Sequence, residues 1–177
     1  GRTPFSLVLG KSEETIKAIL GNDKNLCDSD GNTPVHIAVL NKVDPSIIKL
    51  LVSMDYPLNR RNSLGLTPLT LAVKNNQVEL TKILIDCGAD PFITDNSGEC
   101  AVSIAIENNS DILNAIVQTT GNKKDMAGEG ILHYAVRTGD KAIIKKLLSM
   151  GLDRTAKNIT GETAYDIAVR WQRDPEI

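Results

Sequence analysis

The sequence predicts an all-α solenoid of stacked helix-turn-helix units with outward hairpin loops, and three observations carry that prediction. A short phrase returns along the 177 residues at Gly1, Gly31, Gly65, Gly98, Gly128 and Gly161, with spacings of 30, 34, 33, 30 and 33. Each phrase opens a short apolar helix, and a second apolar helix follows it at helical spacing. Aromatic residues make up only 3% of the chain, so its core must be built from Leu, Ile, Val and Ala. Such a core suits thin helices that approach closely.

The clearest copies of the phrase are Gly31-Asn-Thr-Pro-Val-His-Ile-Ala38, Gly65-Leu-Thr-Pro-Leu-Thr-Leu-Ala72 and Gly161-Glu-Thr-Ala-Tyr-Asp-Ile-Ala168. Glycine permits the tight turn, Thr33 or Thr67 caps a helix, and Pro34 or Pro68 occupies the first helical position. First helices are therefore expected over Pro34–Leu40 and Pro68–Lys74, with a small Ala at 38, 72, 105, 135 and 168 where neighbours meet. Second helices are expected over Ser12–Leu20, Pro45–Ser53, Val78–Asp86, Asp111–Gln118 and Lys141–Met150, carrying pairs such as Leu50-Leu51 and Leu147-Leu148. Gly88 and Gly151 then end their helices in the left-handed conformation. The chain projects outward before the next phrase begins.

This order of helix, turn, helix and outward loop, with its T-P-x-H-x-A and G-A-D segments, resembles the ankyrin repeat. The resemblance covers the whole chain, with repeats at approximately 1–30, 31–64, 65–97, 98–127, 128–160 and an incomplete 161–177 in a single domain. One helix pair cannot bury its apolar face alone, so the array is expected to be an elongated, curved stack held by its neighbours. A longer period of 97 residues also pairs Gly1 with Gly98 and His36 with His133, which suggests a duplicated block of three repeats. The chain opens on Gly1-Arg-Thr-Pro4 in mid-turn, and Asp174-Pro-Glu-Ile177 matches the helix start Asp44-Pro-Ser-Ile47. Something is therefore expected to precede residue 1 and to complete the last helix.

Composition narrows the function classes. The 20 basic and 22 acidic side chains give a formal charge of −2, which does not favour nucleic acid or an anionic membrane. The apolar runs are too short to span a bilayer, and no signal peptide is visible. Cys27, Cys87 and Cys100 are odd in number and irregularly spaced, so reduced thiols in an intracellular protein are expected, without a disulfide framework or zinc site. The setting is cytoplasmic, with the nucleus or delivery as a secreted effector as alternatives. His36 and His133 are the only histidines and lie three repeats apart, so no catalytic group converges on either. The resemblance makes each a local buttress between repeats. The pairs Glu13-Glu14 and Asp28/Asp30 read as solvated helix and turn residues, and no phosphate-cradling glycine loop is present. No catalysis, metal or cofactor is expected.

The resemblance implies a non-catalytic protein–protein interaction module, a monomeric array binding a protein or peptide on its concave loop and inner-helix surface. The other reading is a regulatory or spacer segment of a larger enzyme or effector. By repeat register, the candidate partner-binding residues are Asp30, Asn32, Arg61, Leu64, Leu66, Lys74, Asn96 and Glu99, followed by Lys124, Met126, Glu129, Arg137, Lys157, Ile159 and Trp171. Leu64, Leu66, Met126, Ile159 and Trp171 are expected to be exposed, although Leu64 and Leu66 could instead pack between loops. Interface cores favour Trp, Met and Arg, so the mixture fits a binding strip. Replacing Arg61 and Leu66 together is expected to weaken binding without unfolding. Basic loop residues such as Arg60-Arg61, Lys123-Lys124, Arg154 and Lys157 also suit an acidic peptide.

Overall fold

The computed structural model describes residues 11–21, 23–108 and 110–171. The opening repeat phrase, including Gly1-Arg-Thr-Pro4, and the Asp174-Pro-Glu-Ile177 segment lie outside these residues. Ten helices are described: α1 Glu13–Leu20, α2 Pro34–Leu40, α3 Pro45–Ser53, α4 Pro68–Lys74, α5 Val78–Asp86, α6 Ala101–Asn108, α7 Ser110–Thr120, α8 Ile131–Thr138, α9 Lys141–Ser149 and α10 Ala164–Arg170. Among the described residues there is no strand, only an isolated antiparallel bridge between Lys157 and Thr163.

The helix starts follow the predicted chemistry. Thr33 and Thr67 have extended backbones and accept from the N–H of His36 and Thr70, with Pro34 and Pro68 at the first helical positions. Asp44 and Asp140 cap α3 and α9 in the same way. The observed ends fall within two residues of the expected ones. The largest difference is α7, which continues to Thr120, where the Thr120 hydroxyl donates to the Ile116 carbonyl at 2.7 Å. The corresponding α1 stops at Leu20, so the two 30-residue repeats, 1–30 and 98–127, divide the same chain length differently.

The molecule divides into two compact units, residues 1–101 and 102–177. In the first unit α2 packs against α4 and α3 against α5, while α2 with α3 and α4 with α5 form the helix pairs. First helices thus stack on first helices and second on second, as a repeat array requires. Ile16, Ile48, Leu51, Leu69 and Leu84 form the fully buried core, and Ala38 and Ala72 let the thin first helices approach. In the second unit α8 packs against α10 and pairs with α9, over Ile112, Ile116, Ile131, Leu147 and Ile167. Ala105, Ala135 and Ala168 are buried there.

Candidate functional site

Five hairpins connect the repeats, and one polar residue organises each. Asp28, Asn62, Asp95, Asp125 and Asn158 each use a side-chain Oδ1 to accept the N–H groups two and four residues ahead, at 2.8–3.0 Å. Their backbone N–H also donates to the carbonyl four residues on. The glycine three residues later closes the hairpin with φ between 72° and 83°, a conformation costly to any residue with a Cβ. These five residues were not singled out as a set from the sequence, and Asp28 reads there as a solvated acid. The signal was present: Asp or Asn three residues before every hairpin glycine.

The histidines sit one turn into their helices and tie neighbouring repeats together. His36 Nδ1 accepts the Thr33 N–H at 3.2 Å, which leaves the proton on Nε2 to donate to the Leu66 carbonyl at 2.9 Å. Burial pushes the His36 imidazole below its ordinary 6.5, against the raising effect of the Leu66 bond. His133 repeats the arrangement with Gly130 N–H at 3.2 Å and the Glu162 carbonyl at 3.3 Å. Both are structural links, as the family resemblance implies.

In the first unit the candidate residues are largely engaged with the protein itself. Asn32 is buried; its amide donates to Asp28 Oδ2 at 3.0 Å and its oxygen accepts from Asn62 Nδ2 at 2.8 Å. Asp30 is exposed, and its carbonyl accepts the Ser63 N–H. Arg61 donates to the Gly65 carbonyl at 3.1 Å and to Asn96 Oδ1 at 3.0 Å, while Asn96 Nδ2 reaches the Ser63 carbonyl at 3.0 Å. Lys74 bridges Asp95 at 2.8 Å and Glu99 at 2.9 Å, which raises its own pKa. Although burial opposes ionisation of Asp95, Lys74 and the Glu99 and Ser97 N–H groups hold its carboxyl below 3.8.

The expected exposure of Leu66 is incorrect. Leu66 is 8% exposed whereas Leu64 is 67% exposed, because Leu64 occupies the hairpin tip and Leu66 has already turned back toward the helices. The alternative of packing between loops fails for Leu64, which is exposed, while Leu66 is buried. An Arg61/Leu66 double substitution would disturb the core and cannot report on binding alone.

The second unit leaves all of its apolar candidates in solvent. Met126 is 101% exposed and Ile159 75%, on adjacent hairpins joined by the Ile159 N–H to the Ala127 carbonyl at 2.9 Å. Lys124 and Lys157 are exposed, and Lys124 Nζ donates to the Lys157 carbonyl at 2.8 Å. Glu129 is held by Arg137, whose guanidinium also lies over the Tyr134 ring at 5.4 Å. Trp171, at the end of α10, is half-exposed. Tyr165 and Val169 on α10 are also about half-exposed, where the matching Val35 and Val39 of α2 are buried.

Elsewhere the chemistry is sparse. Among the described residues no disulfide joins Cys27, Cys87 and Cys100, and burial pushes the Cys87 thiol up. Among the described residues, no group of three His, Cys, Asp or Glu side chains is placed to hold a metal, and no helix is long and apolar enough to cross a membrane. A cleft of about 10 Å³ beside Asn122, Lys124, His133 and Asp153 has the volume of a single water.

Comparison with known proteins places the chain. The family model for ankyrin repeats (three copies) matches residues 6–95 and 44–126. Rabankyrin-5 of Mus musculus is 34% identical over 163 residues, covering 85% of this chain and 14% of that protein. The B-cell lymphoma 3 protein homolog of Mus musculus is 32% identical over 142 residues, covering 75% of this chain and 32% of its own. The chain therefore spans well under half the length of either relative. Among solved structures, a chain in the complex of the Bd0816 predatory endopeptidase of Bdellovibrio bacteriovorus with immunity protein Bd3460 shares 27% identity at a TM-score of 0.58, covering 99% of this chain and 96% of that one. The ankyrin repeat domain of Bcl-3 shares the fold at 20% identity and a TM-score of 0.68, covering 99% of this chain and 83% of that domain.

Proposed function

The chain belongs to the ankyrin-repeat family, and on that premise we propose that it is a non-catalytic module holding a protein or peptide on its loop tips and first-helix ends. Ankyrin repeats generally mediate protein–protein interaction. The observation that carries the proposal is where the fold leaves large apolar side chains. Leu64, Met126 and Ile159 lie at hairpin tips, and Leu40 and Trp171 at first-helix ends, all in solvent. The polar groups that organise those hairpins are meanwhile satisfied internally, so replacing the tips changes the surface and spares the scaffold. One relative is by name an inhibitor of NF-kappa-B, and one structural neighbour is a chain of a complex between an endopeptidase and an immunity protein. Both accord with a binding role.

Three cysteines, odd in number and irregularly spaced, support a reducing intracellular location. The short span of the chain relative to rabankyrin-5 supports a second reading, in which it is a regulatory or spacer segment of a larger enzyme or effector.

The test is retention of a partner by the immobilised chain, followed by titration of that purified partner against variants. Leu64→Ser, Met126→Ser, Ile159→Ser and Trp171→Ala in one chain should weaken binding by about 100-fold while the melting temperature stays near that of the parent. Unchanged affinity in the folded variant would overturn the binding reading. The spacer reading predicts that full-length protein lacking residues 1–177 still retains the same partner.

A further inference from the structure

We propose that the hairpin edge of the second unit is a docking surface for an acidic peptide segment carrying apolar anchor side chains. The proposal rests on the binding reading above and specifies the chemistry of the partner. Its origin is a difference between equivalent positions. The residue immediately after the hairpin-organising Asp or Asn is Ser29, Ser63 and Asn96 in the first unit, but Met126 and Ile159 in the second. The fold does not ask for an apolar residue there, since the polar ones close the same hairpin with the same bonds.

The two apolar tips adjoin. The Ile159 N–H bonds to the Ala127 carbonyl, and a Cβ placed on Gly128 would meet the Ile159 nitrogen at 3.0 Å. Lys124 and Lys157 flank them, one residue before Asp125 and Asn158, and both are exposed. The acids of these hairpins are bonded within the protein, and the exposed Asp153 and Asp166, whose pKa values are lowered by bonds from Thr155 and Thr163, also lie within electrostatic reach of Lys124 and Lys157. Asp125 accepts the Ala127 and Glu129 N–H groups and the Tyr134 hydroxyl at 2.7 Å. Glu129 is held by Arg137, and Glu162 by Arg170 at 2.9 Å and the Thr160 hydroxyl at 2.9 Å. The edge therefore presents cations and apolar surface, although the whole chain carries a formal charge of −2.

A ligand that complements this edge places carboxylates near Lys124 and Lys157 and an apolar side chain across Met126 and Ile159. The lysines then steer encounter, and burial of the tips supplies the attraction. An unbranched Met adapts to more than one anchor shape. A nucleic acid would find two lysines and no aromatic tip on which to stack its bases. A membrane would gain only two apolar side chains, too few for stable insertion.

The test measures anisotropy of a short labelled peptide of glutamates interrupted by leucines, titrated with the full 177-residue chain. A probe with glutamine in place of glutamate, phosphatidylserine vesicles and single-stranded RNA are titrated in parallel. The glutamate–leucine probe should bind, about tenfold more weakly to the M126S/I159S double variant and about fivefold more weakly to K124Q/K157Q. Lys145→Gln with Lys146→Gln, an equal charge change on α9, should leave binding unchanged. Failure of the probe to bind, equal affinity for the glutamine probe, insensitivity to both double variants, or preference for vesicles or RNA overturns the proposal. Thermal melts verify that each variant is folded. If the retained partner of the preceding section loses affinity for L64S or W171A but not for these double variants, this inference fails and the binding reading stands. If the partner ignores every tip substitution, both fail.

Discussion

Directly after the organising Asp or Asn, the hairpins of the first unit carry Ser29, Ser63 and Asn96 and are stitched together by side chains, whereas those of the second carry Met126 and Ile159, left in water. The large exposed apolar tip of the first unit, Leu64, stands a place further on. In the first, Asn62 reaches Asn32, Arg61 reaches Asn96, and Asn96 reaches the Ser63 carbonyl. In the second, a backbone bond from Ile159 to Ala127 joins the hairpins, and Lys124 caps the Lys157 carbonyl. Both units share the organising Asp or Asn and the closing glycine, so the column between them is free to vary. The comparison teaches that one scaffold can direct its loop side chains toward neighbouring loops or toward solvent without changing the hairpin.

The sharpest way to probe this contrast is at the histidine links. His36→Ala removes a ring buried on all sides and strands the Leu66 carbonyl and Thr33 N–H, so unfolding free energy should fall by about 3 kcal/mol in urea titrations. His133→Ala should cost about 2 kcal/mol, since its bond to the Glu162 carbonyl is 3.3 Å against 2.9 Å for His36 to Leu66. Equal losses would show that the first unit is no more tightly joined at its links than the second.

A smaller effect is expected at the hairpin glycines. A Cβ on Gly65 would sit 2.6 Å from the Asn96 nitrogen, whereas one on Gly161 meets nothing within 4 Å. Gly65→Ala should therefore cost about 2 kcal/mol or more, from left-handed strain plus displacement of the neighbouring loop, and Gly161→Ala about 1 kcal/mol from strain alone. Denaturant midpoints of the two variants measure the difference. A larger loss at Gly161 would break the comparison.

Acid should weaken the first unit through His36. Burial holds the folded imidazole below 6.5, so the unfolded chain takes up the proton first as pH falls. The stabilisation is complete above that unfolded value and is lost as pH drops below it toward the folded one. Parent protein should show a lower urea midpoint at pH of about 5.5 than at about 7.5, and His36→Gln should flatten that part of the profile. A profile unchanged by the substitution would remove His36 as the cause. The smallest effect is expected at the tips themselves. Met126→Ser with Ile159→Ser gives the second unit the serine tips of the first, and stability should move by no more than about 0.5 kcal/mol. A larger loss would mean that these side chains support the fold.

Much of the architecture was legible in the chain because repeats restate their local chemistry. Thr-Pro before α2 and α4, the alanine column, and the second helices within two residues of their ends all follow from capping and helical period. The histidine column was readable through the family resemblance. The residues that organise the hairpins carry a signal of the same kind, Asp or Asn three places before each glycine.

What the sequence by itself determined is therefore the repeat, its helices and the positions at which a surface is exposed. Tertiary structure alone decided which side chains at those positions face solvent. Leu64 and Leu66 have the same side chain and stand two residues apart, yet only Leu64 is exposed. Arg61, Asn32 and Lys74 carry polar groups suited to a partner, yet each is bonded to its own protein. Local propensity is a property of neighbouring residues in the chain, but exposure and bonding depend on the adjacent repeat, about thirty-three residues away, which supplies the covering atoms.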